Sequence, residues 1–229
     1  MDGWALLGLA LFLGVRHALE PDHVVAVSTL AAEERRLRPA AWLGFVWGMG
    51  HLLPVATVGL PLVVFRLQLP ARFEHLTEAG VGVLLIVLGL VTLRRLARSG
   101  VHFATHRHEE ITHGHFHRPG HRHPFRMGQN RQRVTFAFGV AHGLGGSGAA
   151  AVMALQASPD PGGAVLWLLL FGAGTLLGMF LMTLCVAAPA VAVTSRRLFL
   201  HAAVRAAAAL ASLAWGGFIL WSLLPDLLA

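Results

Sequence analysis

Five ionisable residues lie within eight positions of the first apolar stretch: Arg16, His17, Glu20, Asp22 and His23. Each costs several kcal/mol in lipid, so the group must face the protein interior, pair internally or bind a cation. Imidazole and carboxylate together are the ligand set expected for nickel, cobalt or zinc. We predict a metal site at His17, Asp22 and His23, with Glu20 paired to Arg16 as support. A purely structural polar network is the alternative.

A helix break is needed to bring these ligands together. In a straight helix Asp22 lies about 140° and His23 about 240° around the axis from His17. Pro21 has no N–H for the carbonyl of His17, and its ring clashes with that carbonyl, so a break there is expected. The fourth apolar stretch has a glycine-rich counterpart, for which we predict a second interruption: Gly143, Gly145 and Gly146.

Further histidines lie outside this cluster. His51 and His142 stand within apolar stretches, and we predict both as metal ligands; the alternative is hydrogen bonding between helices. A polar segment also carries eight histidines in 22 residues, a metal-binding composition that needs no fold. We expect this segment to be a disordered loop that binds metal weakly. Its histidines are His102, His106, His108, His113, His115, His117, His121 and His123.

The composition is that of a membrane protein. Of 229 residues, 55% are hydrophobic and 13% charged, and the mean hydropathy is +0.64. A soluble domain carries roughly twice this charge density. A spanning helix needs about 20 mostly apolar residues. Six stretches qualify, at about 4–31, 42–65, 79–96, 134–157, 164–194 and 203–224.

Arginines in the connecting segments predict the orientation. They concentrate after the first, third and fifth stretches, whereas the opposite side has only Arg66 and Arg72. By the positive-inside rule the arginine-rich connections are cytoplasmic. We therefore predict a multi-pass protein of a prokaryotic cytoplasmic membrane, with both termini outside and the His-rich loop in the cytoplasm.

The chain also repeats itself. Residues 13–19 align with 138–144 at an offset of 125, and 47–53 align with 171–177 at an offset of 124. Because three spans are an odd number, two such repeats have opposite orientations in the membrane, as in many secondary transporters. We predict an all-α fold of six transmembrane helices in two inverted three-helix repeats. The repeats comprise residues 1–97 and 134–229, and the His/Arg-rich loop comprises 98–133.

With these residues in place, the sequence resembles the nickel/cobalt transporter family. His17-x4-Asp22-His23 matches the signature of that family, and Gly50-His51 before an apolar run is similar to its second motif. The resemblance implies a role in metal recognition for His17, Asp22, His23 and His51. A later family motif contains a carboxylate that 143–148 lacks, and the chain is closer to the six-span branch of exporters and urease-accessory-type proteins.

The predicted function is transport of a divalent metal ion, nickel or cobalt, with no permanent cofactor and no enzymatic activity. The expected partners are the ion and the lipid bilayer, with no nucleic acid, and a metallochaperone or enzyme-maturation protein is a further candidate. Two alternatives stay open: a membrane protein that delivers nickel to a maturing enzyme without flux, and a di-metal membrane enzyme. No ATP-binding loop is present, so active transport would use an ion gradient or a partner chain.

Overall fold

The protein is described by a computed structural model that covers residues 3–32, 34, 36–98, 102–108, 111–117, 127–194 and 198–228. Within these ranges the fold is helical apart from one strand pair. The α-helices are α1 Gly3–His17, α2 Pro21–Ala31, α3 Leu37–Pro54, α4 Leu60–Phe65, α5 Ala71–Arg98, α6 Met127–Ala157, α7 Pro161–Thr194 and α8 Leu198–Leu228. A π-helical turn, Val55–Gly59, joins α3 to α4.

Five helical segments in the described ranges are long and apolar enough to cross a membrane. They are Leu37–Phe65, Ala71–Arg98, Arg131–Ala157, Pro161–Pro189 and Ala202–Asp226. They correspond to the second to sixth predicted stretches. The first predicted stretch is divided between α1 and α2, and its apolar part, Trp4–His17, is shorter. The protein is therefore a multi-pass helical membrane protein.

The division between α1 and α2 follows from the local sequence. The backbone of Glu20 is extended, with φ −63° and ψ 147°, because a residue before proline avoids the helical conformation. Pro21 then occupies the start of α2, where a missing N–H costs nothing. The amides of Leu19 and Glu20 close the end of α1 by bonding to the carbonyls of Arg16 and His17, at 2.9 and 3.0 Å.

The predicted interruption of the fourth stretch is wrong, because α6 runs without a break through Gly143, Gly145 and Gly146. A glycine inside a helix costs only about 1 kcal/mol relative to alanine, and here its small size is used in packing. A side chain at Gly143 would collide with the backbone of His51 in α3. Gly146 lies against the ring of His17. These glycines bring neighbouring helices close to α6 and leave its axis continuous.

Other glycines mark the main helix crossings. Gly14 of α1 lies against the backbone of Phe171 and Thr175 in α7, and Gly139 of α6 lies against that of Trp47 and His51 in α3. Gly82 and Gly216 face each other where α5 crosses α8. Close backbone approach at small residues is the usual packing mode of membrane helices. The molecule is therefore built on tight pairings of α1 with α7, α3 with α6, and α5 with α8.

The His-rich segment contains a feature that the sequence did not suggest. His102–His108 and Ile111–His117 form an antiparallel strand pair, β1 and β2. The register places His102 opposite His117 and His106 opposite His113. His121 and His123 lie outside the described residues. The predicted metal binding by this loop stays a prediction.

Candidate metal site

The five predicted ligands come together at the centre of the helical bundle. His17 ends α1, Asp22 and His23 lie in the first turn of α2, His51 lies in α3, and His142 lies in α6. His23, His51 and His142 are only 2%, 1% and 3% exposed. His142 is eleven residues from both Arg131 and Met153, or about 16 Å along the helix in either direction. The cluster is thus near the middle of the span formed by α6.

The imidazole rings contact one another. The ring centres of His17 and His23 are 4.7 Å apart, and those of His23 and His142 are 4.4 Å apart. The ring of His51 lies 5.4 Å from that of His17 and 5.3 Å from that of His23. The division at Pro21 produces this arrangement, because it lets α1 end beside the first turn of α2. The histidines of α3 and α6 approach through the glycine contacts at Gly143 and Gly139.

Asp22 connects two of the imidazoles. Its Oδ2 accepts a hydrogen bond from Nε2 of His142 at 2.7 Å, and its Oδ1 lies 3.0 Å from Nδ1 of His23. The donor and acceptor roles follow from the tautomer in which each ring nitrogen facing the carboxylate carries the proton. The carboxylate therefore sets the orientation of both rings.

Glu20 has a different partner from the one predicted. Its Oε2 lies 2.9 Å from Nδ1 of His17, so the predicted pairing of Glu20 with Arg16 is wrong. Arg16 and Glu20 are four residues apart and would be neighbours on a continuous helix, whereas α1 ends at His17 and the turn redirects Glu20. His17 and His23 thus each have a carboxylate on Nδ1, which is the usual way that proteins orient a metal-binding histidine.

Among the imidazoles of the cluster, two buried nitrogens have no hydrogen-bond partner: Nε2 of His23 and Nε2 of His51. An unpaired buried polar atom costs about 1–3 kcal/mol, so such atoms indicate a ligand or a bound ion. Two sets of donors lie close enough to share one ion, with donor atoms within 4.8 Å of one another. They are His17 with His23 and His51, and Asp22 with His23 and His142.

The cluster is enclosed by two aromatic residues, Trp47 and Phe171, that were not among the predicted site residues. Trp47 stacks on His23 at 5.8 Å and meets His142 edge-on at 5.7 Å. Phe171 lies 5.5 Å from the ring of His17. A signal for both was present, because Trp47 and Phe171 occupy the same place in the aligned repeat segments 47–53 and 171–177. The two aromatic rings form apolar walls beside the imidazoles.

A cavity of about 470 Å³ extends from the cluster. Four of the five predicted ligands line it, together with Glu20 and Glu78. Its walls come from the α1–α2 turn, α5, α6, α7 and α8. The cluster is therefore buried but connected to a space large enough for a hydrated ion.

These features define a polytopic helical membrane protein with a buried histidine and carboxylate cluster at mid-span. The sequence profile of the NicO family, High-affinity nickel-transport protein, matches residues 3–219. The chain belongs to this family, so the predicted resemblance is confirmed. It is a family of transporters and not of enzymes, which excludes the di-metal enzyme alternative.

A relative of the chain is named as an accessory protein of urease. The chain is 28% identical over 202 residues to the urease accessory protein UreH of Bacillus sp. (strain TB-90). The match covers 88% of this chain and 84% of the relative. No solved structure matches the chain. Metal transport across a membrane is thus the class of function that the family assigns.

Proposed function

We propose that the chain carries nickel across the membrane through the cluster at the α1–α2 turn, with cobalt as a second ion that the same ligands accept. The observation that carries this proposal is the meeting of His17, His23 and His51, two of which have a buried, unpaired Nε2. Neutral imidazoles suit nickel and cobalt. A buried trio of imidazoles without an ion is costly, so ion binding offsets a real penalty.

The residues of the cluster have separate roles in this proposal. His17, His23 and His51 donate nitrogen ligands. Asp22 orients His23 and His142 and lowers the net charge of a site that receives a divalent cation. The Asp22–His23–His142 set, which shares His23 with the first, gives the ion a second position within the same cluster. Two overlapping positions suit an ion that must leave as well as bind.

We further propose that α1 and α2 together form a sixth span and that the two halves are inverted repeats. The glycine contacts support this. Gly50 of α3 lies against Phe136 of α6, and Gly174 of α7 lies against Leu11 of α1. Gly50 corresponds to Gly174 at the offset of 124, and Leu11 corresponds to Phe136 at the offset of 125, so each contact is the repeat counterpart of the other. Gly48 against Leu176 and Gly172 against Leu52 correspond in the same way, as expected for halves related by a twofold axis.

The orientation follows from the arginines. We propose that the ends of the bundle at Glu34 and Arg131 face the cytoplasm, with both termini outside. The His-rich loop then lies on the cytoplasmic side as a weak local store of metal. Its strand pair sets histidines of β1 opposite histidines of β2 at two positions of the register.

The test is radioactive nickel and cobalt flux in vesicles of both orientations. The double variant His17→Ala/His23→Ala removes two donors and should abolish saturable flux of both metals. His75→Ala is the matched control, because His75 lies in α5 and does not line the cavity. Expression and thermal unfolding are measured for every variant. Wild-type flux in a well-folded double variant would overturn the proposal.

A second function is favoured by the name of the relative, a urease accessory protein. In that case the chain would hold nickel for an enzyme-maturation system without moving it across the bilayer. The two functions differ in one measurement. A transporter moves nickel in vesicles that contain no other protein, whereas a donor binds nickel in detergent and gives no flux.

A further inference from the structure

The cavity beside the cluster reaches the surface near one end of the bundle. Its wall includes Met153, four residues before the end of α6, and Glu78, seven residues after the start of α5. These helix ends are joined to α4 and α7 by short turns on the same side. Glu20 in the wall is 52% exposed, whereas His23 is 2% exposed. The cavity therefore connects the solvent at this end with the buried imidazoles.

Contacts at the other end hold the helices together. Arg131 of α6 forms an ion pair with Glu34 at 2.7 Å, and it donates a hydrogen bond to the carbonyl of Leu30 at 2.8 Å. Thr29 of α2 donates a hydrogen bond to the carbonyl of Ala208 in α8 at 3.0 Å. These bonds tie α2 to α6 and α8 below the cluster. In this conformation the cavity lies toward the end near Glu78.

Glu78 is an acidic residue of the spanning segment Ala71–Arg98 that lines the cavity. Like Glu74, one turn earlier in α5, it forms none of the ion pairs found among the described residues, but Glu74 does not line the cavity. A lone carboxylate in a span costs several kcal/mol unless it faces a water-filled cavity, so such a residue marks an ion pathway. Glu78 lines the same cavity as His23, whose Nε2 is buried and unpaired. The cavity thus has a carboxylate at its outer part, which attracts a cation, and an unpaired imidazole nitrogen at its inner part, which can bind one.

We propose that Glu78 is the entry residue for the divalent cation: it attracts the hydrated ion into the cavity, from which the ion passes to the histidine cluster. This rests on the proposed function. Glu20 lies in the same wall but bonds to His17, so it belongs to the cluster. A unit charge about 10 Å from a doubly charged ion in water changes the local ion concentration by roughly fourfold. Glu78 should therefore raise the association rate of the ion by about this factor and leave its dissociation rate unchanged.

The experiment is stopped-flow mixing of the full-length chain in nanodiscs with Ni²⁺ at low ionic strength. Quenching of tryptophan fluorescence reports binding, because Trp47 stacks on His23. Glu78→Gln should lower the association rate roughly three- to fivefold and leave the dissociation rate unchanged, and added salt should reduce the difference from wild type. Glu78→Arg should lower the rate further. Glu74→Gln is the matched control, since Glu74 lies one turn earlier in α5 and does not line the cavity.

The outcomes separate this proposal from the function on which it rests. Absence of saturable nickel binding by the wild-type chain would overturn the proposed function. Saturable binding by the wild type, with equal association rates in Glu78→Gln and Glu74→Gln, would overturn the entry role alone. A slower Glu78→Gln with an unchanged dissociation rate and a wild-type Glu74→Gln supports it. If Glu78→Gln instead released nickel faster, Glu78 would be a ligand and the entry role would be wrong.

Discussion

Replacement of Asp22 by asparagine tests whether the carboxylate organises the cluster. The carboxylate accepts hydrogen bonds from Nε2 of His142 and Nδ1 of His23, at 2.7 and 3.0 Å. Asparagine keeps the shape but has one acceptor oxygen, so one of the two imidazoles would face an NH2 group. That ring must then turn or change its tautomer, which moves the nitrogen needed for the metal.

The expected loss is large but not complete. Removal of a carboxylate that orients a metal-binding histidine typically costs 10- to 100-fold in affinity, or about 1.4 to 2.7 kcal/mol. Folding should persist, because Asp22 is partly exposed, at 22%, and a neutral amide is easier to bury than a charge.

The assay is equilibrium binding of Ni²⁺ to the purified chain in detergent, with thermal unfolding measured in parallel. Asp226→Asn is the control, since it makes the same change on an exposed part of α8. Affinity within twofold of wild type in a folded Asp22→Asn variant would refute the orienting role. A loss beyond 1000-fold would instead make Asp22 a ligand of the ion held by His17, His23 and His51 as well.

Three further predictions concern packing, the loop and pH. Gly143→Ala should displace α3 and lower stability by about 1–3 kcal/mol, measured by thermal unfolding; Gly217→Ala, with open space around it, should unfold as wild type does. Deletion of 101–124 should leave membrane insertion intact and change apparent nickel affinity only modestly. If the deletion abolished flux as completely as the His17→Ala/His23→Ala variant does, the loop would be part of the ion pathway. Nickel affinity should fall as the pH is lowered below about 7, because protons compete for the imidazole nitrogens. An affinity that stays constant down to the pH at which the chain unfolds would argue against histidine ligands.

The sequence was informative wherever local chemistry decides the structure. Pro21 and the charged group around it predicted both a site and an interruption, because proline acts on its own turn of helix. His51 and His142 were predicted as ligands because they stand in apolar stretches, and the repeat places His142 at the position of His17. The glycines of the fourth apolar stretch could be interpreted in two ways, because glycine occurs both where a helix is interrupted and where two helices cross closely. The helices that pack against α6 decide between an interruption and a close crossing. Because α3 lies against Gly143, the glycine marks a crossing.

Other features depend on tertiary structure and could not be anticipated. The pairing of Glu20 depends on where α1 ends, and a shift of one residue changes which side chain it faces. Glu78 was not predicted, because the cavity that it lines forms only where α5, α6 and α8 pack together. Trp47 was visible in the repeat, but its contact with His23 requires the position of α3 relative to α2.

The glycine crossings also arrange most of the helices in two tightly packed groups. Close contacts at Gly14 and Gly174 join α1 to α7, Gly139 joins α6 to α3, and Gly48 against Leu176 joins α3 to α7, so these four helices pack tightly as one group. Gly82 with Gly216 joins α5 to α8. The packing of α5 against α6, where the two groups meet, is looser, since a side chain at Gly145 would meet Val81 at an ordinary distance of 3.4 Å. The cavity lies where the two groups meet, with α5 and α8 on one side of it. We expect the α5–α8 pair to shear against the four-helix group during each transport cycle, so a cross-link from α5 to α6 should arrest transport while every ligand stays in place.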